Sequence, residues 1–170
     1  MRNAGQWPLH ECLVTDGWSE SSAMLVQVII SRRRPLGGVA MASFLVDLGC
    51  LGVKDALAND NVSMEEYDEF IENIAGASDL YTSPPSMAVK LLETAVRYAA
   101  SLGFRPAPEY RYCKEIFGDI DPGECDVEIP CGLNGKPVFF AGPYDDVAAI
   151  LAQLIARLGA DGFYVSAPVH

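Results

Sequence analysis

The strongest constraint on the fold is an apolar run that ends in a single carboxylate. Residues 39–48 carry no charged side chain except Asp47. The preceding run, residues 24–31, is rich in β-branched side chains and is the clearest strand of the first half. Between the two runs, the pair Gly37-Gly38 allows the chain to reverse. The pattern predicts an antiparallel hairpin, and because both strands are apolar on both faces, a hairpin covered on two sides.

The middle of the chain is predicted to be helical. A capping-box pattern at Ser63 begins a helix over 64–75. A second helix begins with Pro84 at its first position and keeps a 3.6-residue apolar period as far as Gly103. A third, shorter helix is predicted around 109–117, where apolar side chains again share one face.

The last third has a different pattern, in which short strands surround one helix. Residues 125–131 are predicted to form a strand that the Asn134-Gly135 turn joins to a return strand over 137–141. A helix follows, and 163–165 form a terminal strand. A strand, a helix and a strand joined by short loops predict a parallel, right-handed pair in one sheet.

These elements together predict an α+β fold. A mixed sheet is expected from the N-terminal hairpin and a C-terminal ββαβ unit, with three central helices between them. At 170 residues the chain fits a single domain over 1–170. The candidate sub-units are a β hairpin at 1–60, a helical segment at 61–118 and the ββαβ unit at 119–170, each small for an independent core.

Charge and hydropathy exclude several classes of protein. The net charge of −11 argues against general nucleic-acid binding, because Lys and Arg must neutralise the phosphates. The basic cluster at 32–34 is interpreted as a solvated hairpin end, with an anion contact as the alternative. No apolar run approaches the roughly 20 residues of a membrane span, and none follows the N-terminal charge as in a secretion signal. The expected location is the cytoplasm.

Asp47 has two interpretations. A buried carboxylate needs hydrogen-bond donors, and the amides of residues 49–52 follow it directly, so a local cap is favoured. The functional alternative adds Asp55 and either Asp16 or Glu11, a carboxylate cluster that would hold Mg²⁺. Asp47 and Asp55 would then serve a metal-dependent hydrolase or nuclease. No other cofactor is predicted.

The five cysteines suggest chemistry only weakly. Cys50 lies between glycines after a strand, as a nucleophile would, but a cysteine nucleophile needs a base. The only histidines are His10 and His170, so a buried structural thiol is favoured. The remaining candidate ligands for a zinc ion are Cys113, Cys125 and Cys131 with His10. Their spacing along the chain fits no usual zinc motif.

Three stretches, taken together, resemble a family of uncharacterised bacterial proteins. They are FLVDLGCLGVKDA at 44–56, GFRPAPEYRYCKEIFG at 103–118 and GKPVFFAGP at 135–143, in the same order as in that family. The resemblance implies a bacterial protein that folds as one unit. It carries no established activity and therefore assigns no catalytic residue and no ligand.

The leading functional prediction is a non-catalytic interaction module that binds a protein partner or a second copy of itself. It depends on the scarcity of histidine, the lack of a nucleophile–base pair or cofactor motif, and the strong acidity. The acidic tract at 119–128 is interpreted as a solvated loop or, alternatively, as a face for a basic partner. Whether the chain is an enzyme is left open, and the metal-dependent hydrolase is the alternative.

Overall fold

A five-stranded antiparallel sheet forms the centre of the computed structural model, which describes residues 1–20 and 24–166. The strands are β1 (Leu9–Thr15), β2 (Leu25–Arg33), β3 (Val39–Asp47), β4 (Gly52–Val62) and β5 (Leu80–Thr82). Their order is β4-β3-β2-β1-β5, so four consecutive strands form a meander and β5 adds to β1. The long β4 and the short β5 are the two edges.

Four helices and a second, two-stranded sheet complete the fold within the described residues. The helices are α1 (Met64–Ala75), α2 (Pro85–Ser101), α3 (Tyr110–Cys113), which continues as a 3₁₀ turn over Lys114–Phe117, and α4 (Val147–Leu158). Strands β6 (Val138–Phe140) and β7 (Tyr164–Ser166) pair in parallel, before and after α4. None of the helices in these residues is long and apolar enough to cross a membrane.

Several local predictions are confirmed. The Ser63 hydroxyl accepts from the amide of Glu66, and the Glu66 carboxylate accepts from the amide of Ser63, which completes the capping box at α1. Asn134 and Gly135 both have positive φ, as the predicted two-residue turn requires. The antiparallel β2–β3 hairpin and the parallel β6–β7 pair are also present.

The α+β class is confirmed, but the expected single mixed sheet is wrong. The antiparallel and parallel strands form two separate sheets. Residues 125–131 form no strand, and Pro130 near their end lacks the amide that a ladder needs. The sequence reading missed β4, because its Asn and Asp residues have low β-propensity. Pairing along β3 outweighs that propensity.

The two faces of the large sheet are covered unequally. One face packs against α2 in the main core, which includes Val28, Phe44 and Leu91. The other packs against α1, through Ile29 and Met41. A third apolar cluster joins the end of β3 to the C-terminal unit, through Cys50, Leu51, Leu102, Phe139 and Leu154.

The β2–β3 hairpin is central and buried on both faces along most of its length, as predicted, but part of the sheet face that packs on α1 is uncovered. Leu25 is 50% exposed and Leu57 is 46% exposed. Strand alternation puts Leu25 on the face of Ile29, and the β3–β4 register puts Leu57 opposite Ser43 on that same face. Leu45, partly buried, lies between them. We call the surface formed by Leu25, Leu45 and Leu57 the open half-sheet.

Arg32 is buried, so the interpretation of the whole basic cluster as a solvated hairpin end is wrong at this residue. Its guanidinium donates to the carbonyl oxygens of Ile116 at 2.7 Å, Trp7 at 2.8 Å and Phe117 at 2.7 Å. It also lies 3.4 Å from the exposed carboxylate of Asp119. Carbonyl oxygens therefore replace water around the charge, and Arg32 connects β2 to the N-terminal segment and to the turn after α3.

Candidate functional site

Asp47 ends β3 and caps the turn that follows. Its side chain is 3% exposed, and its Oδ1 accepts hydrogen bonds from the amides of Gly49 at 2.6 Å and Cys50 at 3.2 Å. These are two of the four amides that the sequence offered as donors. The cap is a local structure, because the donors lie only two and three residues after the acceptor.

The C-terminal unit fixes this turn from the other side. The carbonyl of Gly49 accepts from the amide of Val138 at 3.0 Å, and the carbonyl of Leu48 accepts from Gly132 at 2.8 Å. A Cβ on Gly49 would collide with the carbonyl oxygen of Val138. Glycine is therefore required here for the close approach of two backbones.

A partly buried ion pair lies beside Asp47. Lys54 Nζ is 2.8 Å from Asp145 Oδ2, and the same oxygen accepts from the amide of Gly142 at 2.7 Å. The Lys54 side chain is 19% exposed and that of Asp145 is 11% exposed. Sequence reasoning missed this pair, since its members are 91 residues apart and neither belongs to a motif.

These groups surround a cavity of about 300 Å³ between the end of β3 and β6. This volume is at the lower end for sites that hold small ligands or single side chains. Most of the lining is apolar, and the two polar side chains are a carboxylate and an ammonium. The lining residues are Met24, Leu25, Asp47, Lys54, Phe140, Ala141 and Gly142.

The second carboxylate oxygen of Asp47 is available to a ligand. In the described part of the chain, the hydrogen bonds to this side chain all end on Oδ1. Burial raises the pKa of Asp47 from 3.8 to about 6, opposed by the two amide bonds and the charge of Lys54. The Asp47 carboxylate is therefore charged at neutral pH, and because it is enclosed, its charged form costs free energy.

The predicted carboxylate cluster is not assembled. Asp47 is opposite Gly52 in the β3–β4 ladder, whereas Asp55 is opposite Leu45 and is exposed. Asp16 accepts from the amide of Gly17 in the loop after β1. Within residues 1–20 and 24–166, no three His, Cys, Asp or Glu side chains lie close enough together to hold a metal ion. This applies both to the carboxylates considered for Mg²⁺ and to the cysteines and His10 considered for zinc.

Glu11 and Cys50, the other two candidate site residues, make contacts within the fold. Glu11 accepts a hydrogen bond from the hydroxyl of Tyr67 at 2.8 Å. Cys50 is fully buried, and burial raises the pKa of its thiol far above the ordinary value, so the thiolate is disfavoured. His10 packs against the Tyr67 ring, 5.5 Å between centroids. The other histidine considered as a base, His170, lies outside the described residues.

A wider depression of about 1000 Å³ adjoins Arg32. The guanidinium of Arg32 already donates to three carbonyl oxygens, and the rest of the lining includes Arg2, neutral residues and four acidic side chains. The acids are Glu115, Asp119, Asp121 and Glu124. Among the described residues that line this depression, no buried side-chain polar atom is left without a partner, so the Asp47 cavity is the better candidate site.

Comparison with protein-family models, curated proteins and solved structures gives no match to this chain. The resemblance to a bacterial family stays a prediction. Function is therefore inferred from the chain's own residues.

Proposed function

We propose that this chain is a non-catalytic protein-interaction module that binds a basic partner at the open half-sheet. The supporting observation is the exposure of Leu25 and Leu57, at 50% and 46%, on a sheet face whose other half is buried beneath α1. Fully burying a leucine contributes about 1.5–3 kcal/mol. Apolar groups grouped on one exposed face of a protein mark an interaction surface more often than scattered ones do.

The charge around this surface favours a basic partner. Asp47 and Asp55 share the face of Leu25 and Leu45, whereas the nearby Lys54 is neutralised by Asp145. The net charge of the chain is −11. A field of this sign raises the association rate of a cationic protein and opposes an anionic one.

The metal-dependent hydrolase has less support. Asp47 already accepts two amide hydrogen bonds on one oxygen, and Asp55 and Asp16 have separate surroundings. Its test is a melting curve with and without Mg²⁺, Mn²⁺ and Zn²⁺, because an ion that binds only the folded chain raises the midpoint. A raised midpoint that Asp47→Asn abolishes would favour the hydrolase over the interaction module.

Removing the two exposed leucines is expected to weaken partner binding without unfolding the chain. A synthetic extended peptide of alternating lysine and leucine is a suitable probe, since it offers apolar contact and positive charge together. Replacing Leu25 and Leu57 together by serine is expected to raise the dissociation constant of the probe about tenfold. Isothermal calorimetry measures the constant, and circular dichroism checks the fold.

Leu36→Ser is the matched control for this experiment. Leu36 is 93% exposed at the turn between β2 and β3, away from the open half-sheet. Its replacement is expected to leave binding unchanged. Equal binding of the probe to the wild-type chain and the double variant would contradict the proposed function.

A further inference from the structure

We propose that the partner inserts a lysine side chain into the Asp47 cavity, with its ammonium group on Oδ2 of Asp47. The inference depends on the proposed function, because this lysine belongs to the protein that covers the open half-sheet. Leu25 belongs to both surfaces, being part of the open half-sheet and part of the cavity wall. A chain lying on the leucines can therefore direct a side chain into the cavity.

The cavity walls suit the hydrocarbon part of lysine. Met24, Leu25 and Phe140 are apolar, and Phe140 is 41% exposed. A lysine side chain buries its methylene groups along such a surface and keeps its charge at one end. The ring of Phe140 also offers a face to an ammonium group that passes over it. The volume of about 300 Å³ holds one such side chain with room for water.

The charges of the site select a cation. Two carboxylates, Asp47 and Asp145, lie near a single ammonium, Lys54. Lys54 is held 2.8 Å from Asp145, which leaves Asp47 as the surplus negative charge. An anionic ligand would add to that surplus, and a neutral one would leave it unpaired. A buried charge without a counter-ion is costly, so an ammonium group gains most here.

The hydrogen bonds already made by Asp47 favour lysine over arginine. A guanidinium binds a carboxylate best through two parallel bonds, one to each oxygen. Oδ1 of Asp47 is occupied by the amides of Gly49 and Cys50. Only Oδ2 is left, and a compact ammonium group needs only one oxygen.

The affinity is expected to fall below a pH of about 6, where Asp47 gains a proton and loses the charge that the ammonium needs. The nearby thiols and phenol stay neutral across this range, since burial raises the pKa of Cys50 far above its ordinary value, that of Cys131 to about 11 and that of Tyr98 to about 12. The groups that act on Asp47 or sense its charge are Lys54, Asp145, Cys50, Cys131 and Tyr98.

The test uses Nα-acetyl-lysine methylamide as the probe and its norleucine and Nε-acetyl analogues as uncharged controls. Binding to the full chain is followed by the NMR shifts of the Gly49 and Cys50 amides, the donors to Asp47. The lysine probe is expected to bind at least about tenfold more tightly than either control at pH 7.5. The preference is expected to disappear at pH 5.

Two variants with equal changes of charge locate the site. Asp47→Asn keeps an oxygen for the two amides but loses the charge, so the preference for lysine is expected to disappear. Asp68→Asn removes an exposed carboxylate from α1, outside the cavity lining and the open half-sheet, and is expected to bind like the wild-type chain. Equal binding of lysine and norleucine, or undiminished binding by Asp47→Asn, would overturn the inference.

Failure of this inference and failure of the proposed function give different results. If the cavity does not bind lysine, the alternating peptide still binds and still depends on Leu25 and Leu57. If the open half-sheet is not a docking surface, the peptide binds the double-leucine variant and the wild-type chain equally.

Discussion

Replacing Asp47 by asparagine is expected to remove a pH dependence of stability that the wild-type chain shows between about pH 4 and pH 6. In the folded chain the pKa of Asp47 is raised from 3.8 to about 6, chiefly by burial. The folded state therefore binds more protons than the unfolded state in this interval, and the free energy of unfolding falls as the pH rises. A shift of this size corresponds to a loss on the order of 3 kcal/mol.

The comparison of Asp47→Asn with Asp47→Ala separates the cost of the charge from the value of the cap. Asparagine keeps an acceptor for the amides of Gly49 and Cys50, whereas alanine leaves both buried amides without a partner. Each lost partner costs about 1–3 kcal/mol. Asp47→Ala is therefore expected to be about 2–6 kcal/mol less stable than Asp47→Asn. Asp47→Asn is expected to be more stable than the wild-type chain at pH 8.

Urea unfolding at a series of pH values measures these differences, and Asp55→Asn is the control for a carboxylate on the surface. A stability difference between the wild-type chain and Asp47→Asn that is the same at pH 4.5 and pH 7.5 would contradict the raised pKa of Asp47. Equal stability of the alanine and asparagine variants would contradict the role of the cap.

Replacing Arg32 by alanine is expected to cost about 3–5 kcal/mol of unfolding free energy. The substitution leaves the carbonyl oxygens of Trp7, Ile116 and Phe117 without their donor, and the bonds to Ile116 and Phe117 are buried. It also disconnects β2 from the turn after α3. Arg32→Lys is expected to restore only a small part of the loss, because an ammonium group cannot replace the planar fork of donors.

Arg33 provides the matched control, since it has the same side chain and is exposed. Arg33→Ala is expected to change stability by less than about 0.5 kcal/mol. Denaturant titration of the variants measures the difference. A loss for Arg32→Ala within about 1 kcal/mol of that for Arg33→Ala would show that the carbonyl contacts contribute little.

Most parts of the fold that were predicted correctly have local signals, and the exception is the parallel β6–β7 pair, which the strand–helix–strand order predicts. The capping box at Ser63 and the turn at Asn134-Gly135 depend on residues at most three apart, and both are present. The Asp47 cap is of the same kind. By contrast, β4 exists because it pairs along β3, and its own composition resembles a loop.

The rest of the site depends on contacts that no local pattern encodes. Lys54 meets Asp145 across 91 residues of sequence, and Arg32 meets Ile116 across 84. Composition indicated that Asp47 would need partners but could not show the cavity beside it. Likewise, the apolar faces of the hairpin predicted burial on both sides, which most of its residues have, but no local pattern indicated that Leu25 and the edge-strand residue Leu57 would stay exposed.

The walls of the Asp47 cavity come from two sheets that share no strand pairing. Met24 and Asp47 belong to the large sheet and its border, and Phe140 belongs to β6. In hydrogen-exchange experiments, small units of this kind can open without global unfolding. A side chain bound between the walls would hold the two sheets together and slow amide exchange in β6 and β7. The exchange rate would fall by the same factor by which the bound ligand raises the population of the closed form relative to the open form.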